Sequence, residues 1–266
     1  ERQTVTGTFP AFDGKHTEPA LIDPEHEVVA SDVSPDDVPP AAVVCYQPEL
    51  FAYARSEYGE RELFADHYLF DCVVCEGVVD DRGEIAVVGN FGIGAPVTAM
   101  VVETLGAAGV ETFLSAGYAG CLQRDVRLSD IVVPDTAIRD EGTSHHYLAP
   151  DEFVDPTPSV AADARAAAVA SDRAVHEGPT WTIDAAYRET VPEIDHYAER
   201  GVLTVEMEAA AVFAVARHRG YEAAALLVVS DYLGTDEWDP NFDATEPHLR
   251  ELFEIGADAL RRHLAE

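Results

Sequence analysis

Residues 89–120 read GNFGIGAPVTAMVVETLGAAGVETFLSAGYAG. A glycine loop follows one apolar run, an alanine- and valine-rich helix follows the loop, and a second apolar run ends in a glycine turn, which is the order of a βαβ unit. That order constrains the fold more than anything else in the chain. Two parallel strands need a crossover of a dozen or more residues, and helices must then cover their sheet. The alternation continues on both sides of the unit. Strands are expected at 41–46, 68–79, 84–88, 127–139, 174–183 and 223–230, with Asp80-Asp81-Arg82-Gly83 joining the second to the third. Helices are expected at 49–58, 159–170, 186–200 and 246–265. No repeat or linker interrupts them, so residues 41–266 read as a single three-layer α/β domain. Residues 1–40, rich in Pro, Asp and Glu and without a sustained period, read as an extended N-terminal arm.

Several chemistries are excluded by missing residues. Gly89, Gly92 and Gly94 begin a dinucleotide fingerprint, but Val97 stands where its third glycine belongs and no acid closes the second strand. The loop still leaves free amides for an anion or a close ligand. No GxSxG elbow, HExxH helix or paired CxxC occurs, so neither a serine hydrolase nor a metal site is expected. His145 and His146 are adjacent, which points them apart, as in a solvated loop. Cys45, Cys72, Cys75 and Cys121 lie in apolar stretches and read as small buried hydrophobes. On a strand, Cys72 and Cys75 face opposite sides.

The formal net charge is −33, and Lys15 is the only lysine beside sixteen arginines. The acids are spread along an apolar-periodic chain rather than gathered in a tail, which describes a halophile-type surface. In molar salt the screening length falls to about 3 Å and the self-repulsion is damped, so low salt is expected to destabilise the fold. The same charge opposes nucleic-acid binding. No uncharged apolar run approaches the roughly 18 residues of a membrane span, and the first residues show no basic-then-apolar signal pattern, so a cytoplasmic location is expected.

Residues 201–220, GVLTVEMEAAAVFAVARHRG, carry the densest chemistry. Val202, Leu203 and Val205 suit a buried strand, while Met207, Ala210, Ala211, Ala214, Val215 and His218 form one stripe of a helix. Glu206 and Glu208 flank the junction. One reading is ordinary acidic charge at a helix N-terminus, worth about 0.3–1 kcal/mol. The other is a pair of acceptors at the carboxyl end of a strand, where open α/β sheets bind ligands, holding a diol such as ribose. Gly117-Tyr118-Ala119-Gly120 and Ser230-Asp231 end other strands and should line the same crevice.

Taken together and in this order, VEMEAA at 205–210, GIGAP at 92–96, SAGYAG at 115–120, the SDIVV that follows, RDEGTSHHY at 139–147 and VVSD at 228–231 resemble the nucleoside phosphorylase and nucleosidase superfamily. The resemblance covers residues 41–265. It implies a three-layer α/β/α sandwich with a mixed, mostly parallel central sheet, assembled as a homo-oligomer, hexamer or dimer. By position, Glu208 corresponds to the acid that binds the ribose hydroxyls, Met207 to the side chain packed on the sugar, and Glu206 to its partner. Asp231 corresponds to the general acid for the leaving base, and Gly117 and Tyr118 to the turn against base and sugar. The stretch WTIDAAYRET at 181–190 occupies the base-pocket position, with Arg188 placed to donate to a pyrimidine carbonyl.

The implied activity is cleavage of a uridine-type or purine ribonucleoside with phosphate as cosubstrate and no other cofactor. The usual phosphate ligands are replaced, however. Leu50 and Ser115 stand where the family carries arginines, and Tyr118 where it carries threonine. Arg139, Arg188 or an arginine of a neighbouring subunit is left to bind a dianion. Glu49 sits beside the position from which a nucleosidase would activate water. Phosphorolysis, hydrolysis and nucleoside binding without turnover therefore all stay open, as does the choice of purine or pyrimidine.

Overall fold

The computed structural model describes residues 12, 14–31, 33–80, 83–233 and 238–265. Asp81 and Arg82 of the expected turn, and residues 1–11, 13 and 32 of the expected arm, lie outside the described residues.

The described part of the arm is not wholly extended. It contains single 3-10 turns at Lys15–Thr17 and Pro35–Asp37 and a short helix α1, Glu25–Ala30. The alternating region follows as β1 (Ala41–Cys45), α2 (Pro48–Tyr58), β2 (Gly59–Leu63), β3 (Asp71–Asp80), β4 (Gly83–Gly89), α3 (Ala95–Ala108) and β5 (Thr112–Cys121). Next come β6 (Ile131–Asp140), β7 (Phe153–Val154), α4 (Pro158–Ala170), β8 (Val175–Ile183), α5 (Val191–Glu199), β9 (Thr204–Glu206), α6 (Ala209–Arg219), β10 (Glu222–Leu233), β11 (Trp238–Pro240) and α7 (Phe242–Leu264).

One mixed sheet carries all of these strands. Its middle is parallel, with β1 between β4 and β5 and with β10 on the other side of β5. β2, β3 and β11 add antiparallel pairings toward the edges. Beyond β5 the sheet closes on itself. β10 also pairs with β6, β6 with β8, β8 with β9, and β9 returns to the far end of β5 at Gly120 and Cys121. Five strands thus form a ring. A sheet in a ring has no free edge there, and its strand ends converge.

Alternation along the strands sorts side chains to the two faces. Ala41, Val43 and Cys45 pack with α2, α4 and α7, whereas Ala42 and Val44 pack with α1, α3 and α6. Cys72 and Cys75 follow the same rule, one in each cluster, and all four cysteines are free and buried. Each fully buried large side chain, such as Phe113, Leu114 or Phe213, contributes roughly 1.5–3 kcal/mol.

The structure corrects several element boundaries. The expected helix at 186–200 is a 3-10 turn at Ala186–Arg188 followed by a separate α5. The cause is a capping box: Thr190 and Glu193 satisfy each other's backbone amides and Pro192 occupies the first turn, so the helix starts at Val191. α7 begins at Phe242, one turn before the expected start, and tolerates Pro247 inside it. α6 is buried all round from Ala209 to Ala216 instead of along a stripe, because it lies between α3 and β10. His218 is exposed. Among the described residues, no helix is long and apolar enough to cross a membrane.

Candidate active site

The carboxyl ends of β5, β9 and β10 open into a cavity of about 520 Å³. Gly120 lets the three strands meet. A Cβ there would lie 2.2 Å from Leu233, 3.2 Å from an Asp231 carboxylate oxygen and 3.2 Å from Val205. A side chain at this position would have to displace the Leu233 side chain and crowd Asp231 and Val205.

The β9–α6 junction forms one wall. Glu206 faces inward: its Oε2 accepts the backbone N–H groups of Glu208 at 2.8 Å and Ala209 at 2.6 Å, and Thr182 donates its hydroxyl to Oε1 at 2.5 Å. Thr182 Oγ1 in turn accepts from Ala210 N–H at 3.0 Å. The first amides of α6 are therefore capped by Glu206 and Thr182, and the helix-end reading describes Glu206 well. Glu208 is placed differently. It accepts one bond on each oxygen, from Gly94 N–H at 2.6 Å and from its neighbour Met207 N–H at 3.2 Å, which leaves lone pairs over.

The Gly94 contact joins the glycine loop to the acid junction. Gly94 caps α3 with φ 106°, a conformation that favours glycine, and so presents its amide to Glu208. Burial drives the carboxyls of Glu206 and Glu208 above their ordinary range. The charge of Glu206 adds to the rise for Glu208, while the inward hydrogen bonds partly offset it for Glu206.

Asp231 comes from β10, at a register shift between Val229 and Asp231. Ser230 Oγ donates to its Oδ1 at 2.6 Å and Trp238 Nε1 to its Oδ2 at 2.8 Å. Trp238, Phe242 and Tyr118 supply aromatic walls, the Tyr118 and Trp238 rings lying 5.8 and 6.2 Å from Phe242. Glu189 completes the acids in the lining, and burial followed by the charge of Asp231 pushes its carboxyl up to about 7.

The part of the lining contributed by the β1–α2 junction carries no charged side chain. Tyr46 shares a hydrogen bond with Ser115 at 2.9 Å, and its hydroxyl pKa is raised by burial and by the nearby Glu208. Gln47, at the N-terminus of α2, presents a buried Oε1 with no partner among the described residues. Leu50 is fully buried in the core beneath. Among the described residues that line the cavity there is no lysine, arginine or histidine.

Of the residues singled out from the sequence, Tyr118, Glu206, Met207, Glu208 and Asp231 meet in this cavity. Three others do not. Gly117 lies behind the lining, where a Cβ would come within 2.9 Å of the Tyr46 ring. Arg188 is exposed on the 3-10 turn, because the helix expected to carry it does not form there, and its neighbours Tyr187 and Glu189 line the cavity instead. Arg139 is buried away from the cavity, its guanidinium spent on Ser144 at 2.9 Å and on the carbonyls of Ala149 at 2.9 Å and Leu148 at 3.5 Å. The RDEGTSHHY loop is thus tied down by its own residues. Glu141 also accepts from Thr143 and Ser144 amides, and His145 bonds the Arg139 carbonyl. His146 meets Lys15 of the arm at 2.7 Å.

Tyr187 and Glu189 belong to the 181–190 stretch expected at the base pocket but were not singled out in it, and Trp238 and Phe242 were not expected at all. The signal for the first two was present as Thr190-Val191-Pro192-Glu193, a helix-start pattern that leaves residues 186–189 in a turn. Trp238 and Phe242 had no comparable signal.

Comparison with known proteins places this geometry among relatives. The family model described as the phosphorylase superfamily matches residues 40–260. A guanosine phosphorylase of Halorubrum lacusprofundi is 34% identical over 241 residues, covering 88% of this chain and 93% of that protein. A DeoD-type purine nucleoside phosphorylase of Bacillus cereus is 28% identical over 181 residues, 67% of this chain and 76% of that protein. The crystal structure of uridine phosphorylase from Vibrio fischeri superposes with a TM-score of 0.73 at 21% identity, covering 89% of this chain and 96% of that one.

Proposed function

The chain belongs to the nucleoside phosphorylase superfamily, and from that premise we propose that it cleaves the N-glycosidic bond of a ribonucleoside with inorganic phosphate, giving free base and ribose 1-phosphate. The observation that carries this reading is Glu208. It is a buried carboxylate held by two amides with acceptor capacity to spare, in a cavity that also holds Asp231. The spare lone pairs suit the ribose diol.

Cleavage builds positive charge on the ribose ring and negative charge on the departing base. Glu208, packed against the sugar with Met207, steadies the first through the sugar contacts. Asp231 gives a proton to the leaving base, a role worth about 10²–10⁴-fold. Ser230 and Trp238 fix the direction of its carboxyl. A second reading, hydrolysis, is favoured by the absence of any cationic side chain among the described lining residues, since a phosphate dianion wants arginine donors. Phosphorolysis then requires a neighbouring copy in a homo-oligomer to supply that charge.

The two readings separate in one assay. Protein purified in molar salt is incubated with guanosine, inosine, uridine or methylthioadenosine, with and without phosphate. Base release that depends on phosphate and yields ribose 1-phosphate supports phosphorolysis. Release of free ribose at the same rate without phosphate replaces it by hydrolysis, and binding without release removes the activity altogether.

A further inference from the structure

The family model begins at residue 40, and the arm before it meets the domain at two histidines. At the first, the 3-10 turn Lys15–Thr17 packs on the turn Ser144–His146, and Lys15 Nζ lies 2.7 Å from His146 Nδ1. An ammonium can only donate, so this nitrogen carries a lone pair and the ring is neutral. At the second, α1 packs on α3 and buries Val28 in the cluster that holds Phe64 and Phe70. Glu27 Oε2 stands 3.9 Å from Nε2 of His67, whose side chain is buried. Leu69 N–H donates to His67 Nδ1 at 3.4 Å, so this ring too is neutral, with its proton on Nε2. Nε2 has no hydrogen-bond partner among the described residues, and the Phe70 and Tyr68 rings lie 4.2 and 4.9 Å from the imidazole.

We infer that the arm is a strap released by acid: both anchors are built on Nδ1 lone pairs, and protonating His146 and His67 unfastens residues 14–30 from the domain. A proton on His146 Nδ1 sets a second positive charge against the Lys15 ammonium. A proton on His67 Nδ1 meets the Leu69 N–H, and the charged ring is then shut among aromatic side chains away from water. The groups that oppose release are Glu27, which faces His67, and Glu141, which faces His146 together with Lys15 and His145. Burial lowers both imidazoles below their ordinary value of 6.5. Lys15 deepens the fall at His146, and Glu27 offsets part of it at His67. The docked arm is therefore favoured fully above pH 6.5 and loses its anchors as pH falls through the lowered values. The strap bears on α3, the helix whose cap residue Gly94 holds Glu208.

Lys15 is the only lysine, so a lysine-specific endoprotease reads the arm alone. Cleavage of the full chain is measured in molar salt from pH 8 to pH 5, each rate divided by that of an unstructured peptide spanning Lys15. Near-ultraviolet circular dichroism, to which the buried Trp181 contributes, reports whether the domain stays folded. Relative cleavage should rise in acid by about tenfold for each unit by which docking lowers a histidine, with the dichroism unchanged. His146→Asn with His67→Asn keeps an acceptor at each anchor and removes the titration, so the acid response should vanish. Glu27→Gln removes an opposing charge and should enlarge it. Cleavage as fast as the peptide's at every pH, a rate that falls in acid, an equal rise in the double variant, or a rise seen only where the dichroism is lost would each overturn the strap. Fast cleavage of the double variant at every pH would keep the two histidines as anchors, and the native and Glu27→Gln curves then decide the response to acid.

Discussion

Two strand-to-helix junctions in the cavity wall are built alike and finished in opposite ways. At β9–α6 a strand runs into a helix whose first amides are taken by Glu206 and Thr182, and Glu208 is held over the cavity by Gly94 and Met207. At β1–α2 a strand also runs into a helix, but the Gln47 side chain makes no cap, its Oε1 has no partner among the described residues, and Tyr46 and Ser115 satisfy each other. One junction therefore brings two buried acids, Glu206 and Glu208, to the lining, and the other brings none, although Glu208 lies close enough to Tyr46 to raise its hydroxyl pKa. The contrast teaches that two strand-to-helix junctions lining one cavity can differ wholly in the charge they bring to it.

The sharpest break of that contrast is Asp231→Asn. If Asp231 is the general acid, kcat for a purine nucleoside should fall by about 10²–10⁴-fold with little change in nucleoside affinity. An unchanged kcat would move the chemistry elsewhere. Next in size, Glu208→Gln should lower nucleoside affinity and kcat/KM by about 10- to 150-fold for every base, because it weakens the grip on the sugar alone. A loss confined to one base would place Glu208 at the wrong end of the substrate. Glu206→Ala should act on stability instead, costing about 1–3 kcal/mol in denaturant unfolding by leaving buried amides and the Thr182 hydroxyl without an acceptor. A drop in turnover with no loss of stability would give Glu206 a substrate role. At the β1–α2 junction, Gln47→Ala removes an acceptor without a partner among the described residues and should change stability by less than about 1 kcal/mol.

Acidity distinguishes the carboxyls of the lining as well. Glu189, Glu206 and Glu208 all have carboxyl pKa values raised by burial, so the folded chain holds their protons more tightly than the unfolded chain does. The stability they contribute is complete below the ordinary value of 4.5 and is lost as pH rises through the folded value, which for Glu189 is about 7. The melting temperature in molar salt should therefore decline between pH 5 and 8 by these groups' share, and Glu189→Gln should flatten part of the decline. A variant curve parallel to the native one would show that Glu189 titrates alike in both states.

Much of this was legible in the sequence. The βαβ unit, the strand ending at Glu206 and the crevice shared by Tyr118, Glu208 and Asp231 are all local patterns: period, glycine placement and strand-end polarity. The misplacements have equally physical sources. Apolar spacing through 186–200 suggests one helix that carries Arg188, whereas the Thr190–Glu193 capping box, a stronger local signal, starts the helix at Val191. Arg139 looked free because a sequence does not show that a guanidinium is already spent on the carbonyls of its own loop.

By itself, then, the sequence determined the layered fold, the buried faces and the identity of the acids at the strand ends, because those follow from residue type and short-range spacing. Tertiary structure alone decided which acid is consumed in capping α6 and which keeps open lone pairs. It also decided that Gly94 reaches Glu208 across 114 positions, and that Trp238 closes on Asp231. The reason is the ring of strands. Once β10, β6, β8 and β9 return to β5, side chains far apart in the chain share one low-dielectric cavity, and their pairings depend on distances that no local pattern encodes.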